Sequence, residues 1–363
     1  MGMLNAPFHP ERLEELGDIE TKPVLKKLAK AHQALAELKA TALAIPDQNI
    51  LMSTLALQEA KDSSAIENII TTQDELYQSD GFERRYRTAA AKEVHSYAQA
   101  LRRGYERVAA TGLITVRDLL EVQAVIEENR AGFRKLPGTE LKNQRTGQTV
   151  YVPPQHPDDI VSLMDKLEQF INRPELTDWD VLVKMALIHH QFESIHPFYD
   201  GNGRTGRVLN ILYLVKEGLL ASPILHLSRF IDQTKEDYYR LLQDVRDTGN
   251  WEPWLLYMLD GIERTSRRTT GIIHGIRSLM REFEERMKSG CPKIYSYDLL
   301  GNLFRHPYTK IDYLVRDLAV TRKTASKYLD ELVGIGLLEK RKIGKDNFYL
   351  NEALFRLLRD GPD

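Results

Sequence analysis

The stretch His196-Pro197-Phe198-Tyr199-Asp200-Gly201-Asn202-Gly203-Arg204-Thr205-Gly206-Arg207 concentrates side chains that handle phosphate. An imidazole has a pKa suited to general-base work near neutral pH, and His196 supplies one. Asp200 is a hard oxygen ligand of the kind that holds Mg²⁺ against phosphates. Gly201 and Gly203 let the backbone turn tightly and expose its N–H groups. A helix starting here points those N–H groups and the positive end of its dipole at an anion. Arg204 and Arg207, three residues apart, share one face of that helix, and each carries a planar fork that fits phosphate oxygens. Asn202, Thr205 and Gly206 complete the loop and the first turn. The stretch reads as a phosphate cradle with a base beside it, and Phe198 is expected to pack into the core and anchor the loop.

Such a loop needs a helix on each side. Trp179–Phe192, apolar from Val181 onward, predicts a buried helix before it, and Val208, Leu209, Ile211, Leu212 and Leu214 restart a helical pattern after it. Further helices are predicted over Val24–Leu43, Asn49–Lys61, Arg84–Ala110, Val116–Asn129, Asp158–Ile171 and Thr234–Thr248, behind an extended arm over residues 1–20 that contains Pro7 and Pro10. The turn-rich segment Gly132–Gly138, the turn Arg145-Thr146-Gly147 and the short run Thr149-Val150-Tyr151-Val152 read as a β-hairpin or a decorative loop. Ser63 and Glu67 are four apart on one helical face, by themselves a solvated face. Tyr238-Tyr239 alone reads as core or interface. His189 and His190, with Glu193 and His196, raise the question of zinc. Adjacent helical residues point about 100° apart and no His-Glu-x-x-His spacing is present, so structural histidines are the better reading of His189 and His190.

The stretch 196–207 resembles the signature of the Fic family, histidine-x-Phe-x-acid-Gly-Asn-Gly-Arg-x-x-Arg, at every fixed position. The resemblance implies that the loop binds ATP with Mg²⁺ held by Asp200. It also implies that His196 deprotonates a Ser, Thr or Tyr hydroxyl of a target protein, which attacks the α-phosphate and takes AMP while pyrophosphate leaves. Asp200, Gly201, Asn202, Gly203, Arg204, Thr205, Gly206 and Arg207 would bind the nucleotide, and Tyr238 and Tyr239 would flank its adenine and ribose. A partner asparagine carried by some relatives further along that helix is not evident; Arg246 stands near the spot. Ser63, Glu67 and Asn68 match the inhibitory motif Ser/Thr-x-x-x-Glu-Gly/Asn of some Fic proteins, in which the glutamate pairs with the second signature arginine, here Arg207. One guanidinium fork cannot serve a carboxylate and a γ-phosphate with the same donors. Thr149, Val150, Tyr151 and Val152 would belong to a flap that aligns the target by strand pairing.

The chain has 363 residues, a net charge of −2 and a single cysteine, Cys291. Near-neutral charge provides no global field toward nucleic acid or membrane, and one cysteine excludes an intrachain disulfide framework. No signal-peptide layout or membrane-length apolar run is present, so a cytoplasmic protein without membrane attachment is expected. Residues 262–290 read as a charged, solvated connector helix. Beyond Pro292, helices over Ile311–Leu318 and Thr321–Val333, with Thr321 as cap, precede a hairpin of Leu337–Ile343 and Phe348–Leu350 around Gly344-Lys345-Asp346-Asn347. Helix, turn, helix and wing suggest a winged helix-turn-helix. Arg322, Lys323 and Lys327 on its second helix and Lys340, Arg341, Lys342 and Lys345 on its wing suit DNA phosphates, diluted by Asp330, Glu331 and Glu339. The same fold also serves protein contact.

These readings predict a mainly α protein: a Fic-type helical bundle with a small β-hairpin flap, followed by a winged helix-turn-helix domain. Residues 1–110 form an N-terminal helical region with the inhibitory motif, 111–261 the catalytic core, 262–290 the connector and 291–363 the winged domain. The expected activity is transfer of AMP from ATP to protein hydroxyls, including self-modification, restrained by Glu67. De-AMPylation, transfer of another phosphate-containing group, or a DNA-binding regulator with a nucleotide-sensing core remain alternatives. A homodimer is compatible with the helical core.

Overall fold

The computed structural model describes residues 13–79, 85–142 and 146–361. The Pro7 and Pro10 part of the expected arm, Arg84 and Arg145 lie outside them. The arm ends in a 3₁₀ turn, Leu13–Glu15, with Leu13 buried. The N-terminal half is helical: α1 (Lys22–Leu43), α2 (Gln48–Ile66), α3 (Gln73–Gln78), α4 (Ala89–Thr111) and α5 (Val116–Ile126). A hairpin follows, with β1 (Leu141–Lys142) antiparallel to β2 (Thr149–Tyr151). Then come α6 (Pro157–Asn172), α7 (Val181–Ile195), α8 (Asn202–Lys216), α9 (Leu227–Gln233), α10 (Lys235–Thr248) and α11 (Glu252–Gly290). No helix among the described residues is long and apolar enough to cross a membrane.

The centre of the bundle is the α7–α8 hairpin. Leu182 to Ile195 are all buried, which is why α7 reads as an uninterrupted apolar run and not as an amphipathic stripe. Leu209, Ile211 and Leu212 of α8 are fully buried, and α4, α5 and α2 close around them. α2 is also enclosed on most sides: Glu59, Asp62, Ser63 and Ser64 are buried along with its leucines. Helix α2 runs past the expected end at Lys61 to Ile66, so Ser63 falls in its last turn and Glu67 is its C-cap.

The solvated connector is corrected. α11 is one 39-residue helix that crosses the expected 261/262 boundary without a break. Under its charges lies a largely apolar buried stripe, Ile262, Thr265, Thr269, Ile273, Ile276, Met280, Phe283 and Met287, spaced three to four apart. Its first half packs along α1 in the same direction, fastened by Lys27 to Asp260 (2.6 Å) and Glu263 (2.8 Å).

The second half of α11 carries the C-terminal elements: α12 (Tyr297–Arg305), β3 (Tyr308–Thr309), α13 (Ile311–Leu318), α14 (Arg322–Gly334), β4 (Glu339–Ile343), β5 (Asp346–Leu350) and α15 (Glu352–Asp360). The strands form a sheet in the order β3-β5-β4. Thr321 caps α14 as expected, accepting the Thr324 N–H. The basic face is weaker than its composition suggests. Arg322 pairs with Asp312, Lys327 with Glu331, Lys340 with Asp330 and Arg341 with Glu339, while Lys323, Lys342 and Lys345 are exposed. This unit rests on α2 and α3: the Tyr308 hydroxyl donates to Asp74, and Phe355 packs edge-on against Tyr77.

Candidate active site

α7 ends because His196 adopts the left-handed conformation (φ 48°), its N–H capping the Phe192 carbonyl. Such a backbone is unusual for a non-glycine residue and is held here by Arg134. The fully buried Arg134 donates through Nε to the His196 carbonyl (2.8 Å) and through Nη2 to the Ile195 and Pro154 carbonyls. Its own N–H donates to the Pro197 carbonyl. Burial, then the Arg134 and Arg246 guanidiniums, push the His196 ring down to about 4, against Glu67 and a backbone hydrogen bond with Glu193. The imidazole is therefore neutral at physiological pH, the form a general base needs.

The loop turns on Phe198 and Asn202. Phe198 is buried as expected, and the Asn202 side chain accepts from the Phe198 N–H (2.9 Å) and donates to the Phe198 carbonyl (2.9 Å). Asn202 thus shapes the loop with its amide. Gly201 (φ 78°) is the N-cap of α8 without a side-chain cap, so the first N–H groups of that helix are available to a ligand. Asp200 is exposed; one carboxylate oxygen accepts the Gly201 N–H (2.7 Å).

The two signature arginines are both paired. Arg207, buried, donates Nε to Ser63 Oγ (2.8 Å) and Nη2 to the Ser63 carbonyl (3.0 Å) and Glu67 Oε1 (2.8 Å). Burial would raise the Glu67 carboxyl, but Arg207 beside it outweighs burial and holds it below its ordinary value. Glu67 also lies on Gly203: a Cβ there would collide with Glu67 Oε1. A carboxylate therefore stands at the first turn of α8, where that helix favours an anion. Asn68, left-handed at φ 64°, ends the turn and accepts from Lys235 Nζ (3.3 Å). Arg204 donates to Glu93 (3.1 Å) on α4 and to Glu127 (2.6 Å) at the end of α5. Each of its terminal nitrogens is thus engaged by a carboxylate. Thr205 and Gly206 are buried within α8 behind the loop.

Tyr238 and Tyr239 separate. Tyr238 is buried in the core, its hydroxyl 2.8 Å from His189 Nε2 and its ring against Trp254. Only Tyr239, 43% exposed, is open to a nucleotide. His189 also meets Asn210 Nδ2 (3.1 Å) through Nδ1, and His190 Nε2 meets the Leu242 carbonyl (3.1 Å). In the flap, Tyr151 points inward, its hydroxyl donating to the Ser194 carbonyl (2.9 Å) and its ring under the Arg246 guanidinium. It fastens the hairpin to α7 and α10, while Thr149, Val150 and Val152 are exposed. Arg246, bound to Ser194 Oγ (3.0 Å), belongs to that fastening.

Three family descriptions match: Fic/DOC family N-terminal over residues 25–106, Fic/DOC family over 113–214, and the C-terminal domain of protein adenylyltransferase SoFic-like over 279–354. The chain belongs to the Fic/DOC family. Protein adenylyltransferase Fic of Aedes aegypti is 29% identical to this Fic chain over 189 residues, 51% of this chain and 35% of that protein. The protein of the same name from Drosophila erecta is 28% identical over 152 residues, 42% of this chain and 28% of its own. The chain thus spans about a third of the length of these curated relatives. A Fic family protein from Desulfovibrio desulfuricans superposes over 91% of this chain and 96% of its own with a TM-score of 0.57 at 19% identity, which shows a shared Fic fold.

Arg134, Glu93 and Glu127 were not singled out as site residues by the sequence, and Glu193 was named only beside a possible zinc. Glu193, buried one turn before His196, is held up at about 7, by burial above all. Its position three residues before His196, the C-cap of α7, is a further signal that pointed to it.

Proposed function

We propose that this Fic protein transfers AMP from ATP to a Ser, Thr or Tyr hydroxyl of a target protein or of another copy of itself, and that Glu67 restrains it. The observation that carries the reading is the Glu67 carboxylate on Arg207 and against Gly203, in front of a neutral His196. A carboxylate stands where a nucleotide phosphate would be held, beside a base able to take a proton.

In this reading His196 accepts the proton of the target hydroxyl as its oxygen attacks the α-phosphorus. The bond from that phosphorus to the bridging oxygen breaks, and pyrophosphate leaves with the electron pair. The N–H groups of Gly203 and its neighbours at the start of α8 hold phosphate oxygens, and Arg207, once free of Glu67, balances the γ-phosphate charge as the leaving group departs. Asp200 fits Mg²⁺: one oxygen is fixed on Gly201, the side chain is exposed beside the helix start, and such an ion often takes one carboxylate with phosphates and waters for the rest. When bound, Mg²⁺ would neutralise phosphate charge there. Val150 lies on β2 and Val152 just past its end; the described pairing of β2 is with β1 alone, leaving an edge to which an extended target segment could add. The C-terminal unit would be a winged helix-turn-helix.

The test is transfer of label from α-labelled ATP with Mg²⁺ by the unchanged protein, by Glu67→Gly, and by Glu67→Gly combined with His196→Ala. Label is expected weakly from the first, strongly from the second and not from the third. Absence of label from all three, with ATP still bound, would sink the AMP-transfer reading.

A further inference from the structure

The two arginine–carboxylate pairs at the loop differ in kind. Glu67 is 31% exposed at a helix end, so water can solvate it when it leaves, and the 2% exposed Arg207 left behind can be paired anew by an arriving phosphate. Arg204 and Glu127 are 5% and 13% exposed, so separating them would strand a buried charge. The first pair can open, whereas the second is built to stay closed.

Glu127 also touches more than Arg204. A Cβ on Gly201 would stand 2.5 Å from Glu127 Oε1, so the carboxylate lies directly on that glycine. One turn earlier on α5, Gln123 Nε2 donates to the Asp200 carbonyl (3.3 Å). The last turn of α5 therefore meets the loop at three points: the Asp200 carbonyl, the Gly201 backbone and the Arg204 guanidinium. This turn is itself fixed. The Glu127 N–H caps the Gln123 carbonyl, and Glu128, left-handed at φ 52°, binds Lys92 (2.6 Å) and Ser96 (3.3 Å) of α4. Glu93, the second partner of Arg204, rises from the same helix α4.

We propose that Glu127 is a positioning residue of the phosphate site: its carboxylate fixes the Arg204 guanidinium and seats the Asp200–Gly201 turn, making Arg204 a stationary positive charge behind the loop and not a movable phosphate clamp. The activity expected of this arrangement rests on the AMP-transfer reading; the seating of the loop does not. Phosphate and metal then meet a turn whose shape is set before they arrive, which is the usual work of partners one shell behind a site.

The test uses Glu67→Gly as the reference, with His196→Ala added for binding so that no chemistry intervenes. Glu127→Gln keeps the size and one acceptor oxygen but removes the charge. Affinity for ATP should fall about tenfold with Mg²⁺ and less without it, and AMP transfer should fall at least tenfold. The thermal midpoint is read alongside. Glu121→Gln, earlier on α5 and half-exposed beside Arg107, should leave affinity and rate unchanged. Glu127→Gln that binds ATP–Mg²⁺ within twofold of the reference would overturn the proposal. If Glu127→Gln does not fold, Gln123→Ala decides: about threefold weaker ATP–Mg²⁺ binding supports the seating of the Asp200 turn, and unchanged binding refutes it. A reference protein that binds ATP yet transfers no AMP would refute the functional reading while the affinity measurements still decide the positioning claim.

Discussion

Ser63 and Glu67 divide the Arg207 guanidinium between them, and the division sets how firmly the site is closed. Ser63 Oγ accepts from Nε, and its carbonyl shares Nη2 with the glutamate. Ser63→Ala removes the Oγ acceptor and leaves Glu67 and the carbonyl in place. A hydrogen bond to a charged group contributes about 1.5–3 kcal/mol, most of it recovered by water when the site opens. ATP should bind a few-fold tighter to Ser63→Ala than to the unchanged protein, measured by calorimetry; weaker binding would mean that Ser63 orients Arg207 for the nucleotide as well. The pairing of Glu67 with Arg207 was legible because both belong to recognisable motifs. Arg134 was not: a single arginine in a turn-rich segment has no period, and its role depends on three carbonyls from two distant segments. The Tyr238-Tyr239 pair was legible as aromatic but not as divided, since neither the facing Trp254 nor His189 is visible from its neighbours in sequence.

Helix α7 brings three histidines to one end of the bundle, and burial makes them all reluctant to take a proton. His189 is pushed to about 3 by burial and then Arg207, His196 to about 4, and His190 well down by burial and Arg246. The sign follows directly. Below the ordinary histidine value of 6.5 the unfolded chain binds protons that the folded helix refuses, so stability falls as pH falls. The urea midpoint should drop between pH 6.5 and about 4, and His190→Gln should flatten that drop if it folds. A midpoint constant over that range would show that the rings find other partners. Helix α7 was evident from its run of apolar residues. α11 was divided by composition, because its charged face dominates a reading by residue type while its buried stripe emerges only when positions are followed three and four apart. α12 and α15, each nine residues long, were overlooked, whereas the eight-residue α13 was read.

Across the whole molecule, the C-terminal unit is joined to the helix that carries Ser63. Phe355 of α15 packs on Tyr77 and Tyr308, and the Tyr77 hydroxyl accepts from Gln58 (2.8 Å), one turn before Ser63 on α2. Phe355→Ala should cost about 3–5 kcal/mol, read as a lower thermal midpoint. Unfolding should remain one transition, because α11 runs through both halves; two separate transitions would show that the halves melt independently. The mainly helical class, the hairpin and the order of the C-terminal elements were legible from periodicity and turn residues. The packing of that unit onto α2 and α3 was not, since it joins segments far apart in the chain through single aromatic and tyrosine–carboxylate contacts.

The pairing of α1 with α11 also sets an order of events during synthesis. Val24, Leu28, Ala31, Leu35 and Leu38 are buried in the finished protein, yet the helix that runs alongside them begins only at Glu252. A ribosome adds roughly 5–20 residues per second, so α1 must wait on the order of tens of seconds for its partner. During that interval its apolar face is uncovered, and the nascent chain depends on chaperones or on temporary contacts with α2 and α4 to keep from associating with its neighbours.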